Sequence, residues 1–214
     1  MASRARRKHL PDPAGAVEDE AKVSEPERSE ALQREAAAAA VRSFLHALGI
    51  DVDDPELQHT PDRVARAWIE VLVAGQRHDP AEALGELHVT TGRGPVIVSK
   101  IPFLSTCPHH LLPLIGHADI AFVPNGRVPG FGRIAQLLDV LAHRLVLQET
   151  LGQSFVDAFS DHVGSIACAC LLRARHTCVA VTDPSRMDSP FTTIATKGDE
   201  TVAAELVRLL TPNS

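Results

Sequence analysis

The chain has 214 residues, of which 44% are hydrophobic and 22% charged. That composition is typical of a globular protein with one large domain or two small ones. The 21 Lys and Arg residues against 27 Asp and Glu give a formal net charge of −6, and aromatic residues make up only 4%. Proteins that bind nucleic acid use basic surfaces and aromatic stacking, so we expect no nucleic-acid partner.

Signals for a membrane or for export are also missing. No run of 18 apolar residues occurs, and no apolar stretch follows the basic N-terminal residues. We therefore expect no membrane partner and a cytoplasmic location. In that compartment four cysteines indicate metal binding, catalysis or burial rather than disulfides. Residues 1–29 have few apolar side chains and are predicted to form a disordered tail.

Residues 30–94 are predicted to form a helical hairpin and a connecting loop. Apolar residues recur at helical spacing in the first helix, which is predicted to end at Gly49. The second helix is predicted to begin with Thr60 as N-cap and Pro61 at the first helical position. We expect Gly75 to end it.

Residues 95–214 form the second predicted unit. Its predicted elements are strands at 95–101 and 118–123, amphipathic helices at 134–141 and 151–163, and strands at 164–174 and 176–182. A helix pair, strands, a second helix pair and further strands predict an α+β fold with an antiparallel sheet.

The reactive side chains concentrate in two short motifs. In Cys107-Pro108-His109-His110, a cysteine and a histidine three residues apart can hold one ion, and thiolate and imidazole are favoured zinc ligands. On the predicted strand 176–182, alternation places His176 and Cys178 on one face. Cys107, His110 and Cys178 would leave a fourth position open for water.

Cys168 and Cys170 offer an alternative. They alternate on an apolar segment and are predicted to be small core residues. A four-cysteine zinc site that includes them is the rival interpretation, and it would leave three histidines of the two motifs without a role.

The motifs at 103–113, 60–66, 147–149 and 176–178 together resemble GTP cyclohydrolase I, in matching order over about residues 30–200. The resemblance implies a tunnelling fold, with an antiparallel sheet backed by two helices and preceded by the helical hairpin. It also implies a homo-oligomer, a toroidal decamer of two pentamers with active sites between subunits. The family converts GTP and water to 7,8-dihydroneopterin triphosphate and formate, for folate or pterin synthesis.

The resemblance also assigns site residues. It implies that Cys107, His110 and Cys178 bind Zn²⁺, while His109 and His176 transfer protons. Histidine suits that role because it titrates near neutral pH.

Substrate contacts follow from the same match. Glu149 is predicted to bind guanine, since one carboxylate accepts from both N1–H and the exocyclic amine, and Gln148 is expected beside it. Arg63, Arg66 and Arg133 are expected to bind the triphosphate.

The sequence departs from the family pattern at the phosphate end. Gly132 replaces a serine, and Gln136 and Thr182 each stand where the family has arginine. In the metal-ligand motif, Pro108 replaces a glutamate. Four other basic residues are candidates to compensate: Arg173, Arg175, Arg186 and Lys197.

Three functions are compatible with these residues. The first is GTP cyclohydrolase I itself. The second is a diverged relative that opens the imidazole ring of another guanine nucleotide or nucleoside. The third is a non-catalytic zinc-bound subunit that modulates a true cyclohydrolase, and the two proton-transfer histidines argue against it.

Overall fold

The computed structural model describes residues 25–211, with side chains from residue 29. The helices are α1 (Glu25–Ala47), α2 (Thr60–Ala67), α3 (Pro80–Leu84), α4 (Phe131–Ala142), α5 (Gln148–Val163), α6 (Thr177–Thr182) and α7 (Glu200–Leu210). The strands are β1 (Leu87–Val89), β2 (Val96–Thr106), β3 (Pro113–Val123), β4 (Arg127–Pro129), β5 (Ala167–His176) and β6 (Phe191–Gly198). Most of the predicted N-terminal tail lies outside the described residues.

The N-terminal hairpin is formed by α1 and α2, which pack against each other. The start of the second helix differs from the prediction, because His59 occupies the N-cap and Thr60 already lies in the first turn. The amide of Thr60 donates to the carbonyl of Leu57 at 2.8 Å, so the preceding turn leads directly into the helix. After Ala67 the helix widens into a π-helical turn.

Gly75 does not end this helix as predicted. It lies inside a short 3₁₀ turn, where its amide donates to the carbonyl of His143 at 2.9 Å. A Cβ at this position would lie 2.1 Å from the carbonyl oxygen of Val140. Glycine is therefore required by the close approach of the hairpin to the end of α4, and the sequence pattern alone does not reveal this contact.

A four-stranded antiparallel sheet, in the order β2-β3-β5-β6, forms the centre of the second unit. Helices α4 and α5 bury their apolar stripes on one face, where Phe122, Phe155 and Phe159 are among the fully buried side chains. The predicted α+β arrangement of an antiparallel sheet backed by two helices is confirmed.

The opposite face of the sheet is partly covered by α7, which the sequence analysis did not predict. Ala203, Leu206 and Leu210 pack there against small residues of β3 and β5. Strand β6 was also missed, because its exposed, threonine-rich sequence lacks a strong apolar alternation. Within residues 25–211 no helix is long and apolar enough to cross a membrane.

The predicted strand at 176–182 is wrong. Strand β5 ends at His176, and the next six residues form α6. The last residue pair between β5 and its partner strand β3 is His176 with Leu114. Because β3 begins only one residue earlier, at Pro113, it offers no further backbone for β5 to pair with beyond His176. The hydroxyl of Thr177 donates to the carbonyl of Pro113 at 2.6 Å and fixes the chain where it turns into the helix.

Candidate metal centre

The first two metal-ligand candidates lie on a tight loop after β2. The amide of Cys107 donates to the carbonyl of Leu112 at 3.0 Å, and the amide of Leu111 donates back to the carbonyl of Cys107 at 2.9 Å. Leu111 has a φ of 55°, a left-handed conformation that reverses the chain. The loop therefore turns back so that Cys107 and His110 face one another, with 4.0 Å between Sγ and Nδ1.

The third candidate, Cys178, reaches the loop from α6. Antiparallel pairing of β3 with β5 brings the end of β5 beside the start of β3, and the helical turn then points Cys178 at the loop. The ligand atoms of Cys107, His110 and Cys178 all lie within 4.8 Å of one another. The three residues that the sequence predicted as ligands therefore lie together, although Cys178 reaches the others from a helix and not, as expected, from a strand.

This donor set fits zinc. Tetrahedral zinc with Zn–S and Zn–N bonds of about 2.3 and 2.0–2.1 Å holds its ligand atoms about 3.5–3.8 Å apart, and small side-chain movements reach that spacing. Burial raises the pKa of the Cys178 thiol, and the neighbouring Cys107 raises it further. Two thiols placed this close together favour a cation between them.

Cys168 and Cys170 do not take part in this cluster. Both are fully buried in the core between the sheet and the helices α4 and α5, as predicted. Burial raises the pKa of each thiol well above its usual value, so both stay protonated. Neither belongs to the group of donor atoms around Cys107.

His176 is held by Gln148, which begins α5 and is 1% exposed. The Gln148 amide nitrogen donates to the carbonyls of Leu172 and Phe191, each at 3.0 Å, and lies 3.2 Å from the hydroxyl of Thr193. Because carbonyls only accept, the other end of the amide, Oε1, accepts from Nε2–H of His176 at 2.9 Å. Neutral His176 therefore carries its proton on Nε2 and leaves Nδ1 as the basic nitrogen.

The electrostatic surroundings of His176 favour its neutral form. Burial lowers its pKa below the usual value, and the nearby carboxylate of Glu149 partly opposes this effect. The ring also meets Phe191 edge-on, with 5.5 Å between centroids. A neutral imidazole of fixed orientation is suited to accept a proton.

These side chains share one cavity of about 450 Å³. It is lined by the three metal-ligand candidates, by His109 and His176, and by Gln148 and Glu149. His109 and Glu149 are exposed, so both can contact a bound molecule.

The predicted phosphate-binding residues lie elsewhere in the described chain. Arg63 and Arg66 are exposed on α2, and Arg66 pairs with Glu70 at 3.7 Å. Arg133 is exposed on α4 and donates to Gln136 at 2.9 Å. None of the three arginines lines the cavity.

The cavity wall also contains Arg186 and Phe191, to which the sequence assigned no specific place in the site. Arg186 was one of four basic candidates, and Phe191 had no predicted role. Both follow α6 in the chain and line the same cavity as the metal-ligand candidates, and no local pattern in the sequence predicts this.

Residues 37–210 match the sequence profile of a family described as GTP cyclohydrolase I. The chain belongs to the GTP cyclohydrolase I family. This finding confirms the resemblance drawn from the four sequence motifs.

Bacterial relatives named GTP cyclohydrolase 1 agree over most of the chain. The protein of Ralstonia nicotianae is 39% identical over 149 residues, covering 70% of this chain and 71% of the relative. That of Leifsonia xyli subsp. xyli is 38% identical, covering 80% and 92%. That of Chlorobium phaeovibrioides is 32% identical, covering 91% and 89%.

Among solved structures, that of the archaeosine synthase QueF-Like in the apo form aligns with a TM-score of 0.43 and 13% identity. The alignment covers 51% of this chain and 98% of that chain.

Proposed function

We propose that this member of the GTP cyclohydrolase I family is a zinc-dependent cytoplasmic enzyme that converts GTP and water to 7,8-dihydroneopterin triphosphate and formate. This reaction is the first step of tetrahydrofolate or pterin synthesis. One observation carries the proposal: the three metal-ligand candidates share a cavity with two histidines and an exposed glutamate. That set contains the groups needed to bind guanine and open its imidazole ring.

Cys107, His110 and Cys178 would hold the zinc ion. When bound, zinc supplies the Lewis acidity that makes water reactive toward C8 of guanine near neutral pH. A set of three protein ligands is typical of catalytic zinc, because it leaves one position open.

His109 and His176 would transfer protons. Opening the ring needs a proton on the leaving nitrogen, and both histidines line the cavity. His176 would use Nδ1, since Gln148 occupies its Nε2–H. Gln148 itself has protein partners at both ends of its amide, so we assign it mainly the positioning of His176.

Glu149 would recognise guanine. Its carboxylate can accept from N1–H and from the exocyclic amine together, whereas adenine lacks that pair of donors. The side chain is exposed at the cavity, next in sequence to the buried Gln148 that starts α5. Guanine bound there would lie close to both His176 and the zinc ligands.

A homo-oligomer would complete the site, and we propose the toroidal decamer of two pentamers. Within the described residues, β2 and β6 form the two edges of the sheet, and apart from one bridge between Thr106 and Leu145 each pairs on one side only. Open edges of this kind are suited to pairing between subunits. Arg63, Arg66 and Arg133, which lie outside the cavity of their own chain, would then contact the triphosphate in a neighbouring subunit.

Product analysis tests this proposal. The zinc-loaded protein is incubated with GTP, GDP, GMP or guanosine, and neopterin fluorescence after oxidation and released formate are measured. We expect formate and neopterin product in equal amounts, with GTP as the preferred substrate. A preference for GMP or guanosine would instead support the diverged relative, and inertness toward all four would support the non-catalytic subunit.

A further inference from the structure

Arg186 has a special position among the basic side chains. Of the residues between 25 and 211 that line the cavity of the metal-ligand candidates, it is the only arginine or lysine. The other lining residues include one carboxylate, Glu149, and three histidines. A nucleotide with several phosphate charges would thus meet one permanent cation on the wall of this cavity.

The other three candidate cations are engaged in ion pairs away from the cavity. None of them lines it. The pairs are Arg173 with Asp119 at 2.7 Å, Arg175 with Asp188 at 3.6 Å, and Lys197 with Asp161 at 2.6 Å.

The local structure holds Arg186 by one edge of its guanidinium. Nε lies 2.8 Å from Oδ2 of Asp183, while Oδ1 of Asp183 accepts from the amide and hydroxyl of Ser185 at 3.1 and 2.6 Å. The Arg186 side chain is 67% exposed. Its two terminal nitrogens have no hydrogen bond to any described residue, so they present donors in the fork geometry that binds phosphate.

We propose that Arg186 is the phosphate-binding cation supplied by this subunit, and that Asp183 positions it while weakening its charge. The inference rests on the proposed function for the identity of the guanine nucleotide. Arg186 would make the site favour phosphorylated guanine ligands over guanosine. Asp183 would limit the strength of this preference, because its carboxylate repels the same phosphates.

Equilibrium binding to the zinc-loaded, full-length protein tests the role of Arg186. Guanosine, GMP, GTP and inorganic triphosphate are titrated by calorimetry into protein that carries His109→Ala to suppress turnover, alone or combined with Arg186→Gln or with the matched control Arg175→Gln. We expect Arg186→Gln to lower the affinity for GTP and for triphosphate about tenfold or more. The affinity for guanosine should change less than twofold. Arg175→Gln, which also removes an ion-paired arginine, should leave all four affinities within twofold.

Asp183→Asn gives the opposite change. It keeps an acceptor for Ser185 but removes the negative charge, so GTP and triphosphate should bind several-fold more tightly, with a larger gain at low salt. Guanosine should be unaffected.

The results separate this inference from the proposed function. Unchanged triphosphate and GTP binding in Arg186→Gln, or an equal loss for guanosine, would overturn the role of Arg186. Triphosphate binding that depends on Arg186 in a protein that does not bind guanosine would support the inference and contradict the guanine site.

Discussion

At the scale of single residues, the main feature is the cluster of Cys107, His110 and Cys178, whose potential ligand atoms all lie within 4.8 Å of one another. The loop and α6 bring them together without any contribution from the two core cysteines. The role of each side chain in the site can therefore be tested by metal content and turnover separately.

The first prediction concerns zinc content. Replacing Cys107, His110 or Cys178 by Ala should remove the metal, because two remaining ligands bind zinc poorly. Wild type should contain about one zinc per subunit by elemental analysis. The control variants Cys168→Ala and Cys170→Ala should keep it, and metal loss in these variants with an intact fold would instead favour the four-cysteine site.

The second prediction separates proton transfer from metal binding. His109→Ala and His176→Ala should retain zinc and lose turnover by about 10²–10⁴-fold, the usual contribution of a general acid or base. Zinc content and formate release are measured on the same preparation. A variant that folds but has lost its metal would identify that histidine as a ligand.

The third prediction concerns Gln148. Gln148→Leu leaves the carbonyl of Leu172 without its donor and should lower the free energy of unfolding by about 1–3 kcal/mol. It should also lower kcat more than it changes KM, since His176 loses its fixed orientation. Gln153→Leu on the exposed side of the same helix is the control. Equal effects of the two variants on kcat would show that Gln148 does not position His176.

At the scale of elements, the contact between the hairpin and the end of α4 depends on the absence of a side chain at Gly75. The 3₁₀ turn and α4 approach so closely that the Gly75 amide bonds to the carbonyl of His143. Arg144 strengthens this junction by donating to the carbonyls of Gly75 and His78 at 3.1 and 2.9 Å. The segment after the hairpin is therefore attached to the end of α4 through a backbone hydrogen bond and the Arg144 side chain.

The fourth prediction tests that junction. Gly75→Ala should destabilise the protein by about 1–3 kcal/mol, because its Cβ would collide with the backbone of α4. Gly132→Ala, in the first turn of α4 with open space around it, should stabilise by about 0.5–1 kcal/mol. Thermal unfolding at one protein concentration measures both. A neutral Gly75→Ala would mean that the hairpin is loosely attached.

At the scale of the whole molecule, the cavity of one chain lacks the predicted arginines of α2 and α4. If these arginines bind the triphosphate in a neighbouring subunit, two inactive variants with changes in different parts of the site can complement each other in a mixed oligomer. Assembly and catalysis would then be linked, because an isolated chain could not bind the triphosphate fully.

The fifth prediction tests this sharing. Cys107→Ala and Arg133→Gln, each expected to be inactive at low GTP, should regain activity when coexpressed, with about a quarter of the sites intact in random mixed rings. Cys107→Ala with His110→Ala is the control and should stay inactive, since both changes affect the same cavity. No recovery in the first mixture would place Arg133 outside the shared site.

Much of the fold and part of the site could be predicted from sequence patterns. The stripes of α4 and α5, the core positions of Cys168 and Cys170, and the proximity of Cys107 and His110 on one short loop all follow from local spacing. In each case the information lies within a few residues along the chain. Helix periodicity and a turn need no distant partner to be recognised.

The tertiary structure decided the features that depend on distant partners. The segment after His176 has strand-like composition, yet it forms α6 because β3 offers no backbone beyond Pro113. Gln148 looks like a substrate-binding residue in sequence, but its amide meets carbonyls from β5 and β6. Arg186 differs from the other basic candidates only in where the folded chain places it. The sequence shows which reactive side chains a chain contains and how they are spaced locally. The packing of segments that are distant in sequence decides which of these side chains come into contact.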